Sequence, residues 1–232
     1  MAEWPGEYRR RPPLSSPTYA VRAPLAAWLR DEAAKRPGPY RVLDVGCGVK
    51  PYYPFFEPHV SEYVGVDVVE NPVADLQGAV ESLPVEDGSF DLVLCIQVLE
   101  HADDPAKAVG ELRRVVAPGG TVLASTHGVQ VYHPAPVDLW RWTHAGLDRL
   151  FRENGDWSSL SVRPSSGTTA CLGMLVAIYA DLLARRLHAP PLGRAAAYVL
   201  NRVAAAIDRR SSELSEPRSG SLIANYHVVA AP

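Results

Sequence analysis

The chain has 232 residues, 47% hydrophobic and 21% charged, a balance that excludes a wholly disordered polymer and suits one large domain or a domain with an appendage. Lys plus Arg number 23 against 26 Asp plus Glu, and the net charge of −3 gives no global pull toward nucleic acid. Cys47, Cys95 and Cys171 are odd in number and form no CxxC pair, and no His/Cys/Asp/Glu cluster has ligand spacing, so neither a disulfide framework nor a metal is expected.

The opening MAEWPGEYRRRPP lacks the apolar run of a secretory signal, and no stretch reaches the ~20 apolar residues of a spanning helix. A reducing, cytoplasmic location is expected. Residues 1–17 are rich in Pro and Arg without apolar periodicity and read as a mobile arm. From Thr18 the text reads as a helix, broken early by Pro24 and stopped by Pro37-Gly38-Pro39, with Leu25, Trp28 and Leu29 on its buried face.

A β/α alternation follows. Arg41–Val45 is a short apolar strand ending in Gly46-Cys47-Gly48; Tyr63–Val68 is a second; a third, weak one lies near Val73–Leu76; Phe90–Ile96 is a fourth. Asp104–Ala117 reads as a helix stopped by Pro118-Gly119-Gly120, and Thr121–Ser125 as a fifth strand. Thr143 caps a helix to Asn154 with Leu147, Leu150 and Phe151 inward. Leu160–Arg163 and Leu222–Ala230 are the last strands, and an Ala/Leu/Arg-rich helical stretch, about Thr168 to Arg210, lies between them. Apolar strands separated by helices imply an α/β fold with a parallel sheet covered on both faces. Residues 18–167 and 218–232 form the main domain, with 168–217 as a helical insertion.

Open parallel sheets bind ligands at the carboxyl ends of their strands, where strand order reverses. VLDVGCG reaches such an end. Gly46 and Gly48 let a ligand approach the backbone, and Asp44 can accept from an amine. Asp67 ends the next strand 19 residues after Gly48, where a carboxylate can receive both hydroxyls of a ribose. A dinucleotide fingerprint wants a third glycine where this chain has Pro51, so a nucleoside without phosphates fits better.

The segments VLDVGCG (42–48), VGVDV (64–68), ESLPVEDGSFDLVLCIQVLEH (81–101) and ELRRVVAPGG (111–120) resemble, in order, the motifs of class I S-adenosylmethionine-dependent methyltransferases of the methyltransferase type 11 kind. The resemblance implies a three-layer, doubly wound, Rossmann-like seven-stranded sheet whose antiparallel terminal strand inserts beside the fifth. It implies S-adenosyl-L-methionine (SAM) as cofactor, with Asp44, Gly46, Cys47 and Gly48 around its methionine part and Asp67 on its ribose. Val68, Val80 and Glu81 would lie along the adenine, and Ile96 near the transferable methyl. Two positions depart from the pattern: Ala79 stands where relatives carry an acid for the adenine amine, and Lys50 where a glycine is frequent.

The loop STHGVQVYHPAPVDLWRWTHAGL follows the fifth strand, and loops at that end of the sheet carry the acceptor site in this fold. His133, Asp138, Trp140 and Arg141 are the candidate acceptor residues, although Asp138 and Arg141 at i, i+3 can equally pair with each other. His101 and His133 are the candidate general bases. In the insertion, Leu172, Leu175, Val176, Tyr179, Leu182, Leu183 and Leu187 recur on one helical face, opposite a strip of Gly173, Ala177 and Ala184. Pro190-Pro191 breaks the chain before a second helix, Leu192–Ile207. Arg185, Arg186, Arg194, Arg202, Arg209 and Arg210 stand against Asp181 and Asp208. That composition suits a lid over the acceptor pocket, a homodimer face or a peripheral membrane contact through 170–210. The expected function is methyl transfer to a small-molecule or lipid/saccharide-linked acceptor. The alternatives are a catalytically degenerate binding protein of the same fold and a nicotinamide-dependent oxidoreductase, against which Pro51 and the LPVEDGSFDLV text argue.

Overall fold

A computed structural model describes residues 4–134, 136–208 and 216–232. In chain order the elements are α1 (Glu7–Arg10), α2 (Tyr19–Ala34), β1 (Tyr40–Val45), α3 (Tyr53–Phe56), β2 (Val60–Asp67), β3 (Leu76–Gln77), β4 (Phe90–Ile96), α4 (Pro105–Val115), β5 (Val116–His127), α5 (His144–Asn154), β6 (Ser159–Pro164), α6 (Thr168–Arg186), α7 (Pro190–Asp208) and β7 (Asn225–Ala231). The sheet order is β3-β2-β1-β4-β5-β7-β6. β7 runs antiparallel between β5 and β6, and the other pairings are parallel. This is the seven-stranded, doubly wound sheet expected, and its strand order reverses between β1 and β4.

The central strands are apolar on both faces because helices cover both. Leu43, Val93, Cys95 and Val122 meet Ala108 and Leu112 of α4 and Leu147 and Phe151 of α5. Their chain neighbours Val42, Leu92, Leu94 and Leu123 face the other way, onto Leu25 and Leu29 of α2 and Phe56 of α3. Truncating a fully buried leucine here, Leu29 for instance, costs roughly 2–5 kcal/mol. The two covering helices are stopped and started by local chemistry: Asp104 accepts from the amides of Ala106 and Lys107 at the start of α4, and Thr143 from Gly146 at the start of α5.

Several elements differ from the sequence expectation. α2 runs unbroken through Pro24, because losing one amide donor in a helix seated on the core by Leu25 and Leu29 is outweighed by their burial. β5 begins at Val116, directly after α4, and carries Pro118-Gly119-Gly120 within it, the register against β4 shifting between Phe90 and Leu92. β2 closes at Asp67, so Val68 lies beyond it, and β3 is only two residues long. The N-terminal segment, expected to be mobile, is packed. Trp4 Nε1 donates to the Lys50 carbonyl at 2.8 Å. The buried Arg10 guanidinium donates to the carbonyls of Trp4, Pro5 and Pro51. α6, where no spanning-length apolar stretch was expected, is long and apolar enough by length and composition to cross a membrane, its charges lying at positions 181, 185 and 186 near its end.

α6 and α7 form an antiparallel hairpin joined through small residues. A Cβ on Gly173 would touch the Ala204 methyl at 3.5 Å, and one on Gly193 would come within 2.8 Å of Asp181 Cα. The hairpin rests on the body through Cys171 and Met174 against Ala20, Val21 and Ala224. The apolar face with Leu172, Val176, Tyr179 and Leu183 is exposed, and the strip of Gly173, Ala177 and Ala184 makes the helix contact, as its small side chains suggest. The small and polar positions are buried in its place because two helices approach closely only where side chains are short. Arg209 and Arg210 lie outside the described residues.

Candidate active site at the strand switch point

A cavity of about 630 Å³ opens at the carboxyl ends of β1, β2, β4 and β5. That size falls within the range of small-molecule and cofactor sites. Its walls come from four places: the strand ends, the N-terminal segment with the start of α2, the loop after β5, and one side of α6.

The turn after β1 forms the first wall. Gly46 adopts φ +66°, and a Cβ there would meet the Val98 side chain at 2.4 Å, so only glycine fits. Beside it, Gly48 has open space where its Cβ would be, which leaves backbone facing the cavity. Asp67, at the end of β2, accepts from the amides of Gly48 at 2.8 Å and Val69 at 3.1 Å, and these bonds fix its carboxylate against the cavity. Val68 and Ile96 line the same space.

Asp44 is buried beside the turn and accepts from the Tyr63 hydroxyl at 2.7 Å. Burial pushes its carboxyl up to about 7, against the opposing hydrogen bond from Tyr63 and the charge of Lys50. Burial likewise drives the Cys47 thiol up to about 12, so Cys47 is neither a nucleophile nor an acid at neutral pH. Lys50 occupies its frequent glycine position at φ +49° and sends a buried ammonium under the turn to Asp75 at 2.5 Å. Gly65 makes room for that path, since a Cβ there would strike Lys50 Cε at 2.4 Å.

Four expected cofactor residues stand outside the cavity lining, Asp44 and Cys47 being buried at the turn. Val80 is packed in the core, and Glu81 Oε1 accepts from the Asp104 amide at 3.3 Å. Two arginines that no sequence signal marked stand in the wall instead. Arg9 and Arg22 flank Tyr8, their guanidinium carbons 5.9 and 5.0 Å from its ring centroid, and neither has a carboxylate partner among the described residues.

The far end of the cavity is built around Glu100. Its side chain is fully buried and Oε2 accepts from Thr126 Oγ1 at 2.8 Å, while Oε1 has no hydrogen-bond partner and lies 3.4 Å from His127 Nε2. Burial raises the Glu100 carboxyl to about 7 and lowers the His127 imidazole to about 3, the latter helped by the Arg141 charge. The pair therefore holds its proton on the carboxyl and keeps the imidazole neutral. Gln97 sits beside it at φ +60°, held in that strained conformation by bonds from Nε2 to Ser125 Oγ and Asn225 Oδ1 at 2.9 Å.

His101 and His133, the candidate bases, both line the cavity with ring centroids 6.1 Å apart, and His101 Nδ1 contacts the Val137 carbonyl. Asp138 and Arg141 form a two-point ion pair at 2.5 and 2.7 Å. Arg141 further donates to the carbonyls of Gln130 and Val131, and Asp138 accepts from the His133 amide. The pairing with Arg141 holds the Asp138 carboxyl well below the usual carboxylate range. Trp140 Nε1 donates to the Ala102 carbonyl, and its ring stacks on Trp142. None of Asp138, Trp140 and Arg141 lines the cavity; they brace the loop that carries Gln130, Val131 and His133 into it.

Comparison with known proteins agrees with this arrangement. A methyltransferase-domain family matches residues 18–160. The uncharacterized methyltransferase YcgJ of Bacillus subtilis is 38% identical over 104 residues, covering 38% of this chain and 41% of that protein. The ubiquinone biosynthesis O-methyltransferase of Hahella chejuensis is 36% identical over 118 residues, covering 44% and 49%. The chain thus spans about half or less of the length of these curated relatives. Among solved structures, the Bacillus subtilis YcgJ protein superposes with TM-score 0.52 at 21% identity over 90% of this chain and 97% of that one. The [4+2]-cyclase SpnF superposes with TM-score 0.54 at 20% identity over 89% and 81%. The glycine turn, the carboxylate ending β2, the antiparallel β7 and the matched family together show that the chain belongs to the class I SAM-dependent methyltransferases.

Proposed function

We propose that the protein transfers a methyl group from SAM to a small-molecule or lipid/saccharide-linked acceptor in the cytoplasm. The observation that carries this reading is the pairing, in one cavity, of a nucleoside-type cradle at one end with a buried, half-partnered carboxylate at the other. The residues present fit SAM: Gly46 and Gly48 leave backbone open to it, and Asp67 has carboxylate lone pairs left for ribose hydroxyls. Arg9 and Arg22, without a carboxylate partner among the described residues, offer cations to the cofactor's carboxylate, and Asp44 would ionise against its ammonium. Val68 and Ile96 supply apolar wall. When bound, SAM supplies an electrophilic methyl group on a sulfonium centre.

The remaining work falls to positioning and proton removal. Glu100 Oε1 is an acceptor without a donor, so a hydroxyl or amine of the acceptor entering the cavity can hydrogen-bond it and lose its proton there. His127 stays neutral 3.4 Å from Oε1, and the Thr126 hydroxyl fixes the carboxylate by donating to Oε2. His101 and His133 stand at the cavity wall as polar contacts for the acceptor. Because SpnF shares the fold and is a [4+2]-cyclase, turnover must be measured as well as binding.

Two measurements test the reading. Asp67→Ala removes acceptors of charge-assisted hydrogen bonds worth roughly 1.5–3 kcal/mol each, so SAM affinity by calorimetry falls at least about tenfold; unchanged affinity sinks the assignment. Turnover rises with pH through about 7 as Glu100 ionises, and Glu100→Gln flattens that limb. A Glu100→Gln enzyme with the wild-type pH profile would show that the proton leaves elsewhere.

A further inference from the structure

We infer that the outer face of the α6–α7 hairpin docks on an anionic lipid bilayer, an inference that deepens the lipid-linked version of the acceptor proposed above. The face is defined by both helices. Leu172, Val176, Tyr179 and Leu183 recur at i, i+4, i+7, i+11 along α6, and Leu192, Val199 and Val203 at i, i+7, i+11 along α7. These side chains are 48–68% exposed. In each helix the apolar row lies roughly a quarter to a third of a turn from the small-residue contact line, at about 100° per residue. The helices run in opposite directions, so the two rows come out on the same side of the hairpin. Ten of the 22 exposed large apolar side chains of the described residues belong to these two helices, and Leu187 between them is an eleventh. A patch of that concentration marks an interaction surface.

Charge selects the occupant. The hairpin holds only two acids, and both are buried and engaged: Asp181 accepts from Arg185 at 2.7 Å, and Asp208 accepts from the Gly167 and Ala170 amides. Arg186, Arg194 and Arg202 are exposed and have no carboxylate partner among the described residues. The hairpin's exposed charge is thus wholly cationic. A second copy laid hairpin against hairpin on this face would bring Arg186 and Arg202 toward like charge, with no unengaged hairpin carboxylate among the described residues to meet them. An anionic headgroup layer over hydrocarbon complements both features, because apolar burial and basic side chains add in interfacial binding.

Position ties the face to the chemistry. Ile178, Leu182 and Arg185 of α6 line the catalytic cavity, and Leu182 is also exposed at the edge of the outer face. One helix therefore separates the bilayer side from the acceptor end of the site, and its edge is an apolar route between them.

The test is flotation of the full chain with phosphatidylcholine vesicles, with and without phosphatidylglycerol. Binding is expected to anionic vesicles, several-fold weaker without phosphatidylglycerol, and weakened by salt. The double substitution Val176→Glu/Val199→Glu, at exposed sites outside the cavity, lowers vesicle affinity at least about tenfold. The triple substitution Arg186→Gln/Arg194→Gln/Arg202→Gln removes the preference for anionic lipid with SAM affinity unchanged, and because it leaves all apolar packing intact it reports even where the double variant misfolds. Failure to float with either vesicle overturns the proposal. So does a dimer in analytical ultracentrifugation that Val176→Glu/Val199→Glu dissociates, since a second copy would then cover the face. SAM calorimetry on the same preparation separates the two readings: vesicle binding without SAM binding sinks the methyltransferase reading alone, and SAM binding without vesicle binding sinks only the docking.

Discussion

Asp44 lies buried at the carboxyl end of β1, and its carboxyl is pushed from 3.8 up to about 7 even with the Tyr63 hydroxyl donating to it. The unfolded chain releases that proton near its ordinary carboxylate range, and the folded protein keeps it. Between those limits the native state binds more protons than the unfolded one, so stability falls as pH rises from about 4 to about 7 and stays lower above it. Glu100, raised from 4.5 to about 7, acts in the same direction. Asp44→Asn keeps an oxygen for Tyr63 and removes the buried charge. The variant should gain about 1–3 kcal/mol over wild type on going from pH 5 to pH 8, while its SAM affinity drops. Urea unfolding at the two pH values checks this, and a variant with no such gain would show that the carboxylate is solvated in the folded state. The site thus keeps a stability cost at the position where a cationic ligand would relieve it. Sequence pattern pointed to Asp44, Gly46, Gly48 and Asp67 because a turn glycine and a strand-ending acid leave local signatures, and Gly46, Gly48 and Asp67 do line the cavity. Arg9, Arg22 and the orphaned oxygen of Glu100 leave none, since their significance depends on which side chains fail to meet them in three dimensions.

The N-terminal segment and α7 depend on each other. Asn201, buried in α7, donates from Nδ2 to the carbonyls of Leu14 at 2.7 Å and Ser16 at 2.9 Å. These bonds anchor the segment that carries Arg9 into the cavity wall. Asn201→Ala leaves two carbonyls without that donor and is expected to cost about 1–3 kcal/mol. It should also speed tryptic cleavage at Arg9–Arg11 and weaken SAM binding several-fold without altering the strands. Limited proteolysis followed by calorimetry checks both effects, and unchanged cleavage would mean that Trp4 and Arg10 hold the segment unaided. A Pro- and Arg-rich opening reads as mobile in sequence because its bonds are side chain to backbone and span long separations, Arg10 to Pro51 and Asn201 to Leu14 among them. The loop after β5 is the converse case. Its density of His, Trp and Arg pointed to the acceptor, but Asp138, Arg141 and Trp140 are spent on bracing the loop, which leaves His133 to reach the cavity.

On the scale of the whole molecule, the order of apolar runs and turns was enough to read the doubly wound sheet, because buried parallel strands must be apolar throughout and helices must cover them. In the hairpin the apolar rows lie outside and the small residues make the helix contact, the division that their spacing along the chain suggests. The placement of β7 between β5 and β6 carries a consequence for how the protein is made. Synthesis delivers the chain from the N-terminus, and Asn225–Ala231 emerges only after the whole hairpin. Until then β5 and β6 each present an open edge, although the apolar face of the hairpin has already been synthesised. The sheet is therefore closed by the last strand delivered, and a chain cut short before Asn225 should keep both edges open and aggregate where the full chain stays dispersed.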